Sequence, residues 1–177
     1  EQGTAAIQQS GDNNEATISQ LIGFIATGNA ATITQQGDDN IAFISQEDFN
    51  TATVLQKRDG AQATVTQNGN NHTANVTQGH NDTATVTQSG SFNVANVDQE
   101  RDGASSGNTA TVNQSGNSNT ANVTQDITNT ANVTQSGSNN TANVDQDNGG
   151  ASVGNLADVT QSGTWNVANV NQDDNNT

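Results

Sequence analysis

One short unit, Ala-x-(Val/Ile)-x-Gln, recurs fifteen times along the 177 residues of this chain. The first copy closes at Gln9 and the last at Gln172, and successive copies are 10, 11 or 15 residues apart. A unit this short cannot bury its own apolar face, so it must stack on its neighbours. The repeat therefore predicts a solenoid rather than a globule, as one domain over residues 1–177.

Within each unit, the Ala, the Val or Ile and the Gln alternate with polar residues, which is the period of a β-strand with one face turned inward. Two residues before the Ala, eleven of the fifteen copies carry Asn. The other four carry Gly3, Ala61, His72 and Asp82. The full strand is thus Asn-x-Ala-x-Val-x-Gln, with four inward residues and three outward ones.

The segments between the units are rich in Gly, Asn, Asp and Ser, which favour turns. They are too long for two-residue hairpins and too short for helices. We therefore predict an all-β fold: a β-solenoid of stacked β-arches with about 7.5 coils, in which about 15 strands form two facing, parallel, in-register sheets of eight and seven strands. Such a fold resembles cross-β amyloid.

Seven of the turns carry Gln-x-Gly, and this pattern changes sides of the rod near Gln56–Gly60. The sequence offers no reason for that change. The spacing also stacks outward asparagines into one column, and it separates Asp98 from Asp145 by Thr124. The predicted column contains Asn75, Asn96, Asn122, Asn143 and Asn169.

The predicted core is thin, because its apolar members are Ala with Ile in the first four strands and Ala with Val in the rest. Inward Asn and Gln would be costly if unpaired. Stacked in register, each amide can donate to the next rung and accept from the previous one, which fixes the register. The core ladder positions selected on this basis are Ile7, Gln9, Asn14, Ile18, Gln20, Ile33, Gln35, Asn40, Ile44, Gln46, Val76, Gln78, Val97, Gln99, Val123, Gln125, Val144, Gln146, Val170 and Gln172.

Composition excludes several function classes. The net charge is −15 and the only basic residues are Lys57, Arg58 and Arg101, which argues against nucleic acid and anionic membranes as partners. No apolar run is long enough to insert into a membrane. Nothing resembles a catalytic triad or a phosphate loop, so we expect neither enzymatic activity nor a cofactor. His72 and His80 lack ligand spacing, and no metal site is predicted.

The spacing Gln-x4-Asn-x5-Gln resembles the curlin repeat, as in Gln9-Asn14-Gln20 and Gln35-Asn40-Gln46. The resemblance implies a subunit of curli, a secreted functional amyloid of the bacterial biofilm matrix whose subunits polymerise end to end. It also implies a minor nucleating subunit and a dedicated outer-membrane secretion system as partners. The chain departs from typical curlins in having more repeats, and in using Asn-x-Ala in both strands of each repeat.

An open solenoid leaves its first and last strands unpaired, and bare strands template further pairing. No sequence beside them has the character of a cap, unless caps lie outside these residues, so we expect identical subunits to pair there. No signal-peptide pattern begins at Glu1, so an exported protein would have lost its signal peptide. The predicted assembly edges are Ala5, Ile7, Gln9, Asn166, Ala168, Val170 and Gln172.

Two other functions fit a repetitive rod. Outward threonines such as Thr83, Thr85 and Thr87 are typical of flat ice-binding faces, although Phe43 and Asp158 interrupt their columns. A repetitive surface adhesin segment is the second alternative. The apolar patch Leu21–Ile25, outside the repeat, is predicted to fold over an edge or to bundle fibres.

Overall fold

The computed structural model describes residues 3–21, 28–100, 107–147 and 154–173. These contain fifteen β-strands and no helix. The strands form two parallel sheets, one of eight strands and one of seven, and the chain passes from one sheet to the other after every strand. The predicted all-β solenoid is thereby confirmed. Most of the predicted apolar patch Leu21–Ile25 lies outside the described residues.

Odd-numbered strands make the eight-stranded sheet and even-numbered strands make the seven-stranded sheet. The first sheet contains β1 Thr4–Gln9, β3 Ala30–Gln35, β5 Thr51–Gln56, β7 Thr73–Gln78, β9 Val94–Gln99, β11 Thr120–Gln125, β13 Thr141–Asp147 and β15 Val167–Asp173. The second contains β2 Glu15–Gln20, β4 Ile41–Gln46, β6 Gln62–Asn70, β8 Thr83–Ser91, β10 Thr109–Asn117, β12 Thr130–Ser138 and β14 Leu156–Thr164.

Each strand pairs in register with the strand two places along the chain, so like residues form columns. Val112 lies between Val86 and Val133, for example. The inward Ala and Val or Ile side chains of the two sheets form one continuous core. Val112 and Ile33 are both fully buried there. Small and β-branched residues allow this close face-to-face packing.

The turns lie on two opposite sides of the rod. We call the side with the odd-to-even turns the first turn side, and the side with the even-to-odd turns the second turn side. On the second turn side, β6, β8, β10, β12 and β14 continue past their Gln through a stacked Gly. These glycines all have positive φ, and a Cβ built on Gly116 would overlap the carbonyl oxygen of Gly137. The column contains Gly69, Gly90, Gly116, Gly137 and Gly163.

The predicted change of sides is present. The glycine turns that contain Gly11 and Gly37 follow β1 and β3, so they lie on the first turn side. There too a Cβ on Gly11 would overlap the carbonyl oxygen of Gly37. Glycine stacks therefore occupy one side near the start of the rod and the opposite side from β6 onward.

Candidate assembly surfaces

The core glutamines form two hydrogen-bonded columns, one in each sheet. Gln88 donates from Nε2 to Oε1 of Gln114 at 2.8 Å, and Gln114 donates to Gln135 at 2.8 Å. The eight-stranded sheet stacks Gln9, Gln35, Gln56, Gln78, Gln99, Gln125, Gln146 and Gln172 in this way. The seven-stranded sheet stacks Gln20, Gln46, Gln67, Gln88, Gln114, Gln135 and Gln161.

Each column also joins the two sheets, which the sequence reasoning missed. The second amide hydrogen of Gln114 bonds the backbone carbonyl of Val94, in the facing sheet, at 2.9 Å. Gln125 bonds the carbonyl of Thr109 in the same way at 3.2 Å. A Gln side chain is long enough to cross the thin core, so its amide meets a strand-opening carbonyl opposite. The buried amides are thereby hydrogen-bonded in two directions.

The inward asparagines bond differently from the expected amide ladder. Oδ1 of Asn93 accepts the backbone N–H of Asn119 at 2.9 Å. Nδ2 of Asn119 donates to the carbonyl of Ser115, four residues earlier, and to that of Gly137 on the next rung, at 3.3 and 3.1 Å. The asparagines therefore clamp the turns to one another. The register is fixed by side chain–backbone bonds at this position and by amide–amide bonds at the glutamines.

His72 replaces one of these asparagines and reproduces its bonds. Nδ1 accepts the N–H of Asn93 at 3.2 Å, and Nε2 lies 3.2 Å from the carbonyl of Asn68, four residues earlier. This arrangement assigns the neutral tautomer with hydrogen on Nε2. Burial lowers the pKa of His72 below its ordinary value of 6.5, against the opposing effect of the backbone bonds. The structural role predicted for His72 corresponds to these two bonds, to Asn93 and Asn68.

We predict that His72→Asn makes the rod less sensitive to acid. Because the folded-state pKa of His72 lies below 6.5, the unfolded chain binds more protons than the folded one as the pH falls through 6.5, so the native protein loses stability there. The variant lacks this loss, and its free energy of unfolding relative to the native chain should rise between pH 7.5 and pH 5. Denaturant titrations at both pH values measure it. At pH 7.5 the imidazole is neutral, which supplies the baseline, and an unchanged difference at pH 5 would contradict the prediction.

Asp82 occupies the position of another opening asparagine. Its pKa shifts in the opposite direction from that of His72. Its carboxylate accepts the N–H groups of Asn108 and Gly79 at 2.9 and 2.8 Å. Burial raises the pKa of Asp82 from 3.8 to about 6, and the charge of Glu100 adds to this. Its contribution to stability is therefore full below pH 3.8 and is lost as the pH rises through about 6. Lys57 contacts Glu100, and Arg58 lies 3.6 Å from the same carboxylate.

The outward faces carry the predicted columns. Asn75 donates to Asn96 at 2.9 Å, and the chain of side-chain bonds continues through Asn122 and Asn143 to Asn169. On the other sheet, the threonine column is interrupted, since Phe43 lies between Thr17 and Thr64. Farther along, Asn132 and Asp158 follow Thr111. The threonines thus form a local patch.

The described residues contain no group of three or more His, Cys, Asp and Glu side chains that could hold a metal ion. No helix in the described part of the chain is long and apolar enough to span a membrane.

Burial changes sharply at the two ends of the rod. Ile33 and Ile44 are fully buried, whereas Ile7, in the same kind of position, is 47 % exposed. Ala5 and Gln9 are exposed as well, and Asn14, Ile18 and Gln20 are half-buried. Interior ladder positions such as Asn40, Val76, Val97, Val123 and Val144 are buried.

At the other end, Asn166 is exposed, Ala168 and Val170 are half-buried, and Gln172 is 8 % exposed. The predicted assembly residues thus lie on β1 and β15, the outer strands of the eight-stranded sheet, except Asn166, which immediately precedes β15. The outer strands of the seven-stranded sheet, β2 and β14, contain none of the predicted assembly residues. Among the described residues, none of these four strands has a partner on its outer side.

One segment of the rod matches a known family of repeats. Residues 48–78, which contain β5, β6 and β7, match the family model of the curlin-associated repeat. The chain thus carries one segment that matches this repeat, which is consistent with a curlin-type repeat protein. Within the matched segment the opening position of the curlin repeat is held by Asn50, Ala61 and His72 in turn. The chain has no significant match among curated proteins.

Proposed function

We propose that this protein is a curlin-type, self-assembling structural subunit of an extracellular amyloid fibre, and that it polymerises through its unpaired outer strands. The curlin repeat and the β-solenoid fit a curli-type structural subunit. The observation that carries the proposal is the exposure of the core at the rod ends, where Ile7 is 47 % exposed and Ile33 is not exposed at all.

A second copy of the chain suits these ends because it repeats their pattern. The terminal strands present Ala, Val or Ile, and Gln at the same spacing as every interior strand. Another copy can therefore add further rungs to the apolar core and to the glutamine columns. Pairing at bare parallel strands gives a cross-β fibre in which each subunit is itself a stack.

The wider role follows from the resemblance to curlins. We propose a location outside the cell or at its surface, in a biofilm matrix, with a minor nucleating subunit and a dedicated outer-membrane secretion system as partners. The proposed role is structural rather than enzymatic, and it requires no cofactor.

The test is to incubate the purified chain at neutral pH and to record fibre diffraction and electron micrographs of the product. We expect fibres with an axial repeat of about 4.8 Å. Ile7→Asp should slow elongation at least about tenfold, because a charge would enter the new core. Gln8→Asp, on the outward side of the same strand, is the matched control and should elongate nearly normally. A rod that stays monomeric and folded would refute the proposed function.

A further inference from the structure

The side of the rod on which the glycine turns lie differs between its two ends, and this constrains how two copies can stack. Near the start of the rod they lie on the first turn side, at Gly11 and Gly37, and from β6 onward they lie on the second turn side, ending at Gly163. If two identical rods stacked without rotation, the Gly11 turn of one copy would lie above the segment between β13 and β14, whose sequence lacks the Gln-x-Gly pattern.

Gly163 has the backbone of a stacked turn without a rung beyond it. Its φ of 93° is close to the 102° of Gly137. At Gly137 a Cβ would overlap the carbonyl oxygen of Gly163, whereas at Gly163 the nearest atom is Nδ2 of Asn166, 3.7 Å away. Among the described residues, the space that the next rung would fill beside Gly163 is open.

The sheet topology sets a second condition. The described strands make eight in one sheet and seven in the other. If β1 of an incoming copy pairs with β15, its β2 lies one strand too far from β14, and a gap one strand thick remains over Val159. If the incoming copy is rotated by a half-turn about the rod axis, β1 pairs with β14 and β2 pairs with β15. Both sheets then continue in parallel without a gap.

The half-turn also matches the turns and the columns. It places the Gly11 turn directly on the Gly163 turn, and Ile7 and Gln9 on Val159 and Gln161. Asn140 donates from Nδ2 to the carbonyl of Gly163 at 3.1 Å. After a half-turn, Asn166 would meet the carbonyl of Gly11 in the same relation. The change of sides within one chain is thus what keeps the glycine stack on one side across the junction.

We propose that successive copies of this chain add with a half-turn about the fibre axis, so that β1 pairs with β14 and β2 pairs with β15 of the preceding copy. This inference rests on the proposed function, because it describes the junction within the fibre. It assigns the change of turn sides to the interface between subunits. A head-to-tail contact of this kind repeats without closing and generates a filament.

Engineered cysteine pairs distinguish stacking with a half-turn from stacking without rotation, since the chain has no native cysteine. Outward residues on adjacent paired strands are close enough for a disulfide. With a half-turn, Gln8→Cys meets Thr160→Cys, and Ser19→Cys meets Asn171→Cys. Without rotation, β1 would pair with β15, and Gln8→Cys would meet Asn171→Cys instead. Preformed fibres of the three double variants are oxidised, dissolved without reductant, and analysed by gel and by peptide mass spectrometry.

We expect ladders of disulfide-linked multimers from the first two double variants. The Gln8→Cys/Asn171→Cys variant shares one cysteine with each of them and should give about tenfold less crosslinked product. The half-turn is overturned if the third variant crosslinks best or if no pair crosslinks in the fibres. Either result leaves the proposed function intact. Failure of the native chain to form fibres overturns both.

A second variant needs no crosslink. Gly163→Ala places a methyl group in the open space beside Gly163, at the cost of some backbone strain because φ is 93° there. The strain is confined to the last turn of the rod, so we expect the monomer to stay folded, which circular dichroism checks. With a half-turn, that methyl group would overlap the carbonyl oxygen of the incoming Gly11, and elongation should fall at least about tenfold. Normal elongation by folded Gly163→Ala subunits overturns the inference.

Discussion

Gln114→Leu is expected to lower the free energy of unfolding of the rod by about 3 kcal/mol. Leu keeps much of the side-chain volume, but it leaves Nε2 of Gln88, Oε1 of Gln135 and the carbonyl of Val94 without their bonds to this position. These groups are shielded from water, so each lost bond carries a desolvation cost. Denaturant unfolding at concentrations that keep the chain monomeric measures the difference.

Gln62→Leu is the matched control, since the Gln62 side chain is exposed on the outward face of β6. A substitution there should change stability by no more than about 0.5 kcal/mol. Equal losses from the two variants would show that the buried column contributes nothing beyond what an outward glutamine does.

Val133→Asp should abolish the folded rod under conditions where the native chain is folded. Val133 is 1 % exposed and packs in the continuous core between the sheets. A carboxylate there has no cation to pair with among the core residues, which are Ala, Ile and Val. We expect a loss of about 4 kcal/mol or more, together with loss of fibre formation. Circular dichroism and fibre yield report the two effects.

Thr134→Asp introduces the same charge one residue later, on the outward face. Thr134 is exposed, and its column neighbours are Asn113 and Thr160. This control should fold and assemble nearly as the native chain does. A rod that tolerates Val133→Asp as well as Thr134→Asp would mean that the inward and outward faces of β12 are reversed.

The fold was predictable because one short unit repeats with a strand period. Alternation alone places Val112 inside and Thr111 outside, and equal spacing aligns Val112 with its neighbours. The bonds of the asparagines were not predictable in the same way. Their side chains are one methylene shorter than glutamine, so they reach the turn rather than the facing sheet.

The turn conformation determines which carbonyl groups accept hydrogen bonds from those asparagine side chains. The residue before the opening position has positive φ in turn after turn, even where it is Phe92, Thr128 or Trp165. Bulky and β-branched residues rarely adopt this conformation, so the sequence gives no local signal for it. The stack of neighbouring turns imposes it, and this brings the carbonyl four residues earlier to the asparagine amide. The outer strands β2 and β14 were likewise missed, although two predicted sheets of eight and seven strands already imply an unpaired strand at each end of the second sheet.

The glutamine columns have a direction. Every bond in them runs from Nε2 of one residue to Oε1 of the glutamine on the next coil toward the C-terminus, and both columns point the same way. In the proposed fibre, both columns would therefore point the same way along the axis, and the two tips would end on opposite ends of the amide columns. The two tips would then be different binding sites, and we expect them to grow at different rates.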